Sequence, residues 1–125
     1  MAIIKDLQAR VKSLELKVGM RAVTFSALAA SVSTTSFTAV AFTVIPRSGS
    51  SLAVDVNVAG AAEVQLTVEG VSIGAATAAA AGTVTVSGFL PASWAFGDRK
   101  RVEVQARRTS GTGALAVAVL SAWHR

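Results

Sequence analysis

The sequence predicts a mainly β protein: a single β-sandwich, jelly-roll-like, preceded by a short N-terminal coiled-coil helix. Three observations carry this expectation. From residue 23 onward apolar and polar residues alternate in several short runs, the period of a strand with one buried face. Turn-forming residues separate those runs at short intervals, as in sandwiches and jelly rolls. Before Gly19 the period changes, and apolar residues recur at heptad spacing. The chain therefore divides into residues 1–21, the coil, and residues 22–125, the sandwich. Its 125 residues suffice for one domain with a real core and leave no room for a second of ordinary size.

The coil is read from Ile4, Leu7, Val11, Leu14 and Val18, which fall at the a and d positions of a heptad. Gly or Pro does not interrupt the run, and Gly19 is a plausible stop. A helix of 16 residues, 3–18, is about 25 Å long and marginal alone in water, so it needs partner helices. Arg10 falls at g and Glu15 at the following e, positions that meet between neighbouring helices of a parallel coil. The six residues Arg10-Val11-Lys12-Ser13-Leu14-Glu15 resemble the Arg-h-x-x-h-Glu trimerisation motif of short parallel coiled coils, where h is apolar. Val or Ile at a with Leu at d favours dimers instead. The charged pair outweighs that tendency, and a homotrimer is expected.

The strands follow in order. Residues 35–45 are apolar on both faces and read as a strand covered on both sides, by a second sheet or a neighbouring subunit. Val54, Val56 and Val58 alternate with polar residues, as do Val64, Leu66 and Val68, then Val84 and Val86, then Val102, Val104 and Ala106. Residues 114–121 are again apolar on both faces. Turns are expected at Pro46–Gly49, at Ala59-Gly60, at Glu69-Gly70 as a two-residue hairpin turn, and at Ser110–Gly113. Residues 75–81 read as a loop or irregular edge strand, and residues 88–98 as the longest loop.

Composition excludes several chemistries. There is no cysteine, so disulfides, thiolate metal sites and thiol nucleophiles are ruled out. The one histidine, His124, cannot make a multi-His metal site and reads as a solvated residue. With the carboxylates Glu63, Glu69 and Glu103 on polar strand faces, no catalytic pair is indicated. No catalytic residue, metal or cofactor is expected, and the protein is read as not an enzyme. Residues 1–18 carry charges throughout, unlike a secretory signal. Residues 23–45 lack charge over a length that could span a bilayer, but their many hydroxyls suit strands, so no membrane span is expected. Apolar residues make up 52% of the chain, and a subunit interface is the simplest place to hide that surface.

Two features could contact a partner or ligand. Trp94 and Phe96 lie in the expected loop, where aromatics either stack on sugars or plug the end of a sandwich. Arg99, Lys100 and Arg101 form a basic cluster that continues as an outer row toward Arg107. Such a row usually marks a solvated edge that blocks strand-to-strand aggregation. Aromatic residues lie mostly in uncharged stretches rather than among the basic ones, so nucleic-acid binding is disfavoured. The net charge is +5, densest over residues 1–21, where five basic residues meet two acidic ones.

Near-terminal heptads, the Arg10–Glu15 pair and a compact Ala/Val/Thr/Gly-rich β-domain together resemble the small trimeric virion proteins of tailed bacteriophages. That resemblance implies a structural protein at the virion surface, contacting other virion proteins as a capsid decoration or short head fibre. It also admits a short tail fibre acting as a host adhesin, with a host-surface glycan as ligand. A trimeric lectin and a nucleic-acid-associated protein using the basic helix are the competing classes.

Overall fold

The computed structural model describes residues 21–125. The expected coiled coil, with Ile4, Leu7, Arg10, Val11, Leu14, Glu15 and Val18, lies outside the described residues. Ten strands follow in order: β1 (Arg21–Ala22), β2 (Ser26–Ala27), β3 (Ser31–Val32), β4 (Thr38–Pro46), β5 (Ser51–Val58), β6 (Ala62–Val68), β7 (Val71–Ala78), β8 (Gly82–Phe89), β9 (Arg99–Arg108) and β10 (Leu115–His124). The described part begins its first strand at Arg21, one residue before the boundary read from sequence.

Two antiparallel sheets result. One runs β1-β10-β5-β8, with β3 also on β10, and the other runs β2-β4-β9-β6-β7. Among the long strands, only β6 and β7 are joined within a sheet; every other connection crosses to the opposite sheet. That alternation is the winding of a jelly roll. Among the described residues no helix is long and apolar enough to cross a membrane, and residues 23–45 fold into β2, β3 and most of β4.

Alternation explains why these residues make these strands. Val54, Val56, Val58, Val64, Leu66, Val68, Val102 and Val104 all face inward and are buried. A fully buried valine or leucine contributes roughly 1.5–3 kcal/mol, so this set dominates the stability. β-Branched valine also fits the pleated surface well. The Glu69-Gly70 turn between β6 and β7 has φ of 50° and 84°, both left-handed, as a two-residue hairpin turn requires.

Both open sides of the sandwich are closed by backbone. On one side β7 and β8, which belong to different sheets, come into direct contact. A Cβ on Gly74 would lie 2.1 Å from the Ser87 carbonyl oxygen, and one on Gly88 would lie 2.2 Å from that of Ile73. Only glycine permits this approach. On the other side residues 21–32 lace the sheets together, pairing with the end of β10, then with β4, then with the start of β10.

Two sequence expectations change, and the choice left open at residues 75–81 falls mainly to the edge strand. The segments around β4 and β10 are not covered on both faces within the chain: Val44 and Leu120 stay 48% and 59% exposed. Residues 75–78 belong to β7, an edge strand, and only residues 79–81 form the turn. The basic row on β9 does not lie at an edge, because β9 is the central strand of its sheet.

Register ties inward and outward positions together. Val104→Asp is expected to abolish folding by burying a charge, whereas Gln105→Asp, on the outer face, should cost no more than about 1 kcal/mol. Chemical denaturation of the two variants checks this.

Candidate interaction surface

At one end of the sandwich lie the 46–51 corner, the Glu69-Gly70 turn, the 90–98 loop and the paired ends of β1 and β10. The loop is held in place from beneath by Trp94. The indole is fully buried, and its Nε1–H donates to the Asp98 carbonyl at 2.7 Å. A tryptophan with its N–H satisfied can close the end of a core made mostly of valine and alanine. Trp94 is therefore a plug, and the expectation that it could stack on a ligand is corrected.

Arg47 locks the same loop. Its Nε donates to the Gly49 carbonyl at 2.9 Å, and its Nη1 donates to the carbonyls of Pro91 (3.1 Å) and Trp94. The Gly97 N–H donates to the Arg47 carbonyl at 2.9 Å, completing the cross-link. The guanidinium also lies 4.5 Å from the ring centroid of Phe96. Unlike Trp94, Phe96 is 67% exposed. Phe89 stands at the end of β8 and is 82% exposed, beside an open depression of about 430 Å³ bordered by Ile73 and Gly88. Val71, at 66%, completes the exposed apolar side chains of this end.

The basic cluster does not form a single patch. Arg99 and Arg101 lie on the outer face of β9, opposite Pro46 and Val44, while Lys100 shares the face of Val102 at the rim of the core. Arg101 is engaged: its guanidinium lies 4.3 Å from the Phe42 ring centroid and 3.7 Å from Glu103. Farther along, Arg107 lies 4.9 Å from the Phe37 centroid and 3.3 Å from Glu63. Between them Gln65 donates to Gln105 at 2.6 Å. Glu69 accepts from the Arg101 backbone N–H at 2.9 Å. The outer face of this sheet is thus a ladder of matched charges, each exposed pair worth at most about 1 kcal/mol.

Arginine and phenylalanine do interleave here, contrary to the sequence reading. Strand pairing sets Phe42 opposite Glu103, two pairs from Arg101 and so on the same face, and residues far apart in sequence meet across the sheet. The cross-strand offset that would have revealed this depends on register, which sequence alone does not supply.

His124 is likewise not solvated but buried. The Ser48 backbone N–H donates to its Nε2 at 2.9 Å, and its Nδ1 lies 2.9 Å from the Ser51 carbonyl, so the proton sits on Nδ1. The Arg125 carbonyl accepts from the N–H groups of Ser50 and Ser51 at 2.7 and 2.8 Å. These bonds fasten the end of β10 to the same corner that Arg47 braces.

Among the described residues no group of three or more His, Asp or Glu side chains is placed to hold a metal ion. On the outer face of the other sheet, Asp55 accepts hydrogen bonds from Thr85 and Ser121. An apolar cleft of about 250 Å³ lies between β4 and β10 under the lacing segment, lined by Phe25, Val40, Val117 and several alanines.

The described residues thus define an all-β, two-sheet domain with one end rich in exposed aromatic and basic side chains. Comparison with protein-family models, with curated proteins and with solved structures found no match.

Removing the plug should unfold this end and, with it, the core. Trp94→Ala is expected to cost about 3–5 kcal/mol, whereas Phe96→Ala should cost under about 1 kcal/mol. Denaturant midpoints of the two variants measure the contrast.

Proposed function

We propose that this chain is a non-enzymatic structural subunit of a tailed-phage virion surface: a homotrimer that decorates the capsid or forms a short head fibre. The observation that carries the reading is the junction between heptads and sandwich. Only Gly19 and Met20 separate Val18, the last seam residue, from Arg21, where β1 begins. Those three chain steps reach at most about 11 Å. A parallel coil would therefore hold the same end of each sandwich close to one axis. Jelly rolls recur in viral capsid and lectin domains.

Four of the five side-chain carboxylates among the described residues are held by neighbouring groups. Asp55, Glu63, Glu69 and Glu103 are each already bonded to a hydroxyl, a guanidinium or a backbone N–H. None of these bonds joins two carboxylates into an acid–base pair.

A trimeric glycan-binding module, or a short tail fibre serving as host adhesin, is the second reading. The exposed ring of Phe89 favours it, since an open aromatic face can stack on a sugar. Binding on a glycan array would support that alternative.

Light scattering of the purified chain should give three times the 12.7 kDa monomer mass. Exchanging Arg10 and Glu15 together should restore more trimer than either single charge reversal. Particles lacking the protein should assemble and adsorb to host cells normally, yet lose resistance to heat or low salt. Normal stability with abolished adsorption would favour the adhesin reading.

A further inference from the structure

Side-chain charge is distributed very unevenly. The end of the sandwich described above carries Arg21, Arg47, Arg99, Lys100 and Arg125 against Glu69 and Asp98, five basic and two acidic, a net of +3. Residues 1–20, which join the domain at this end through Arg21, hold four basic and two acidic residues, a net of +2. The rest of the domain holds Arg101, Arg107 and Arg108 against Asp55, Glu63 and Glu103, a net of zero. The whole +5 of the chain therefore belongs to one pole and the segment entering it.

The same pole carries Phe89, Phe96 and Val71, three of the most exposed large apolar side chains among the described residues. They are not loose. Arg47 and Trp94 fix the loop that bears Phe96, and Phe89 ends a strand paired with β5, opposite Ser51. A rigid aromatic and apolar set rimmed by cations is the composition of a protein-binding face, because little side-chain entropy remains to be lost on docking.

Resting on the proposed role as a particle-surface subunit, we infer that this pole is the docking surface, and that its partner is an acidic protein surface. A second copy of the chain supplies no counter-charge, since its own pole carries the same net +3; a coil-joined trimer would set such poles around one axis with that charge still unmet. A phosphate backbone would meet the cations but leave Phe89, Phe96 and Val71 without apolar cover. An acidic protein face supplies both carboxylates and apolar contact, with charge steering the approach.

The test is rebinding of the full-length protein to particles prepared without it, at several salt concentrations. Wild type should rebind, more weakly as salt rises. Arg99→Gln with Lys100→Gln should weaken rebinding roughly tenfold or more, and so should Phe89→Ser with Phe96→Ser. Arg107→Gln with Arg108→Gln, at the opposite end, removes the same charge and should change it less than about twofold. Thermal melts on all variants establish that each is folded. If wild type rebinds but the Arg107/Arg108 pair matters and the first two pairs do not, the docking pole is wrong while the particle role stands. Failure of wild type to rebind would overturn the particle role and the docking pole together. Tighter binding to a duplex DNA oligonucleotide or to phosphatidylglycerol vesicles than to particles, lost in the Arg99/Lys100 variant, would overturn the acidic-protein assignment.

Discussion

The guanidinium of Arg47 holds carbonyls from two separate stretches of chain, Gly49 on one side and Pro91 and Trp94 on the other. Hydrogen bonds from a charged donor contribute about 1.5–3 kcal/mol each, and an unmet, partly buried carbonyl would be costly. That one side chain decides what the end of the domain presents. It presses the 90–98 loop onto the β4–β5 corner, which seats Trp94 inside and leaves Phe96 outside. Without it, the ends of strands built from valine and alanine would have no large group closing them. The His124 bonds to Ser48 and Ser51 reinforce the same corner from β10.

Much of this fold was legible because alternation is a direct imprint of the pleat. The strands around Val56, Leu66 and Val104 need only a period of two to be placed and oriented. His124 shows where that reading stops. Continuing the inward series Leu115, Val117 and Val119 by twos would bring Trp123 inward and leave His124 in solvent. A register shift between Val119 and Ser121 sets Leu120 out of the ladder and reverses the parity, so Ala122 and His124 turn inward. A bulge adds one residue without changing composition, and nothing local in Val-Leu-Ser announces it. The shift between Ala39 and Ala41 acts similarly in β4, burying Val40 and Ala41 in succession.

The candidate surface was less legible than the core. Trp94 and Phe96 stand two residues apart in one loop with similar chemistry, and their opposite fates follow from the distant Arg47. The basic residues of β9 were visible as a row, but their neutralisation was not. Glu63 reaches Arg107 from β6, and Phe42 and Phe37 reach Arg101 and Arg107 from β4 and the segment before it. Such neighbours are set by strand order and register, which are properties of the closed sandwich rather than of any segment.

The apolar excess also takes on a different meaning once the core is seen. Composition alone suggested that a chain 52% apolar needs a subunit interface to hide its surface. Most of its valines are instead consumed by the sandwich interior, whereas only a minority of its alanines are. What remains outside is sorted. The broad outer face of the β5 sheet carries small side chains around Asp55, satisfied by Thr85 and Ser121, and the face of the β9 sheet carries matched charges. A paired ion loses its hydration on docking without gaining a partner, so these long faces resist being covered. The unbalanced charge and the exposed rings share the one end from which residues 1–20 depart. An oligomer built through that segment would gather its copies' basic poles around a single axis, where each needs counter-charge that the copies themselves do not supply.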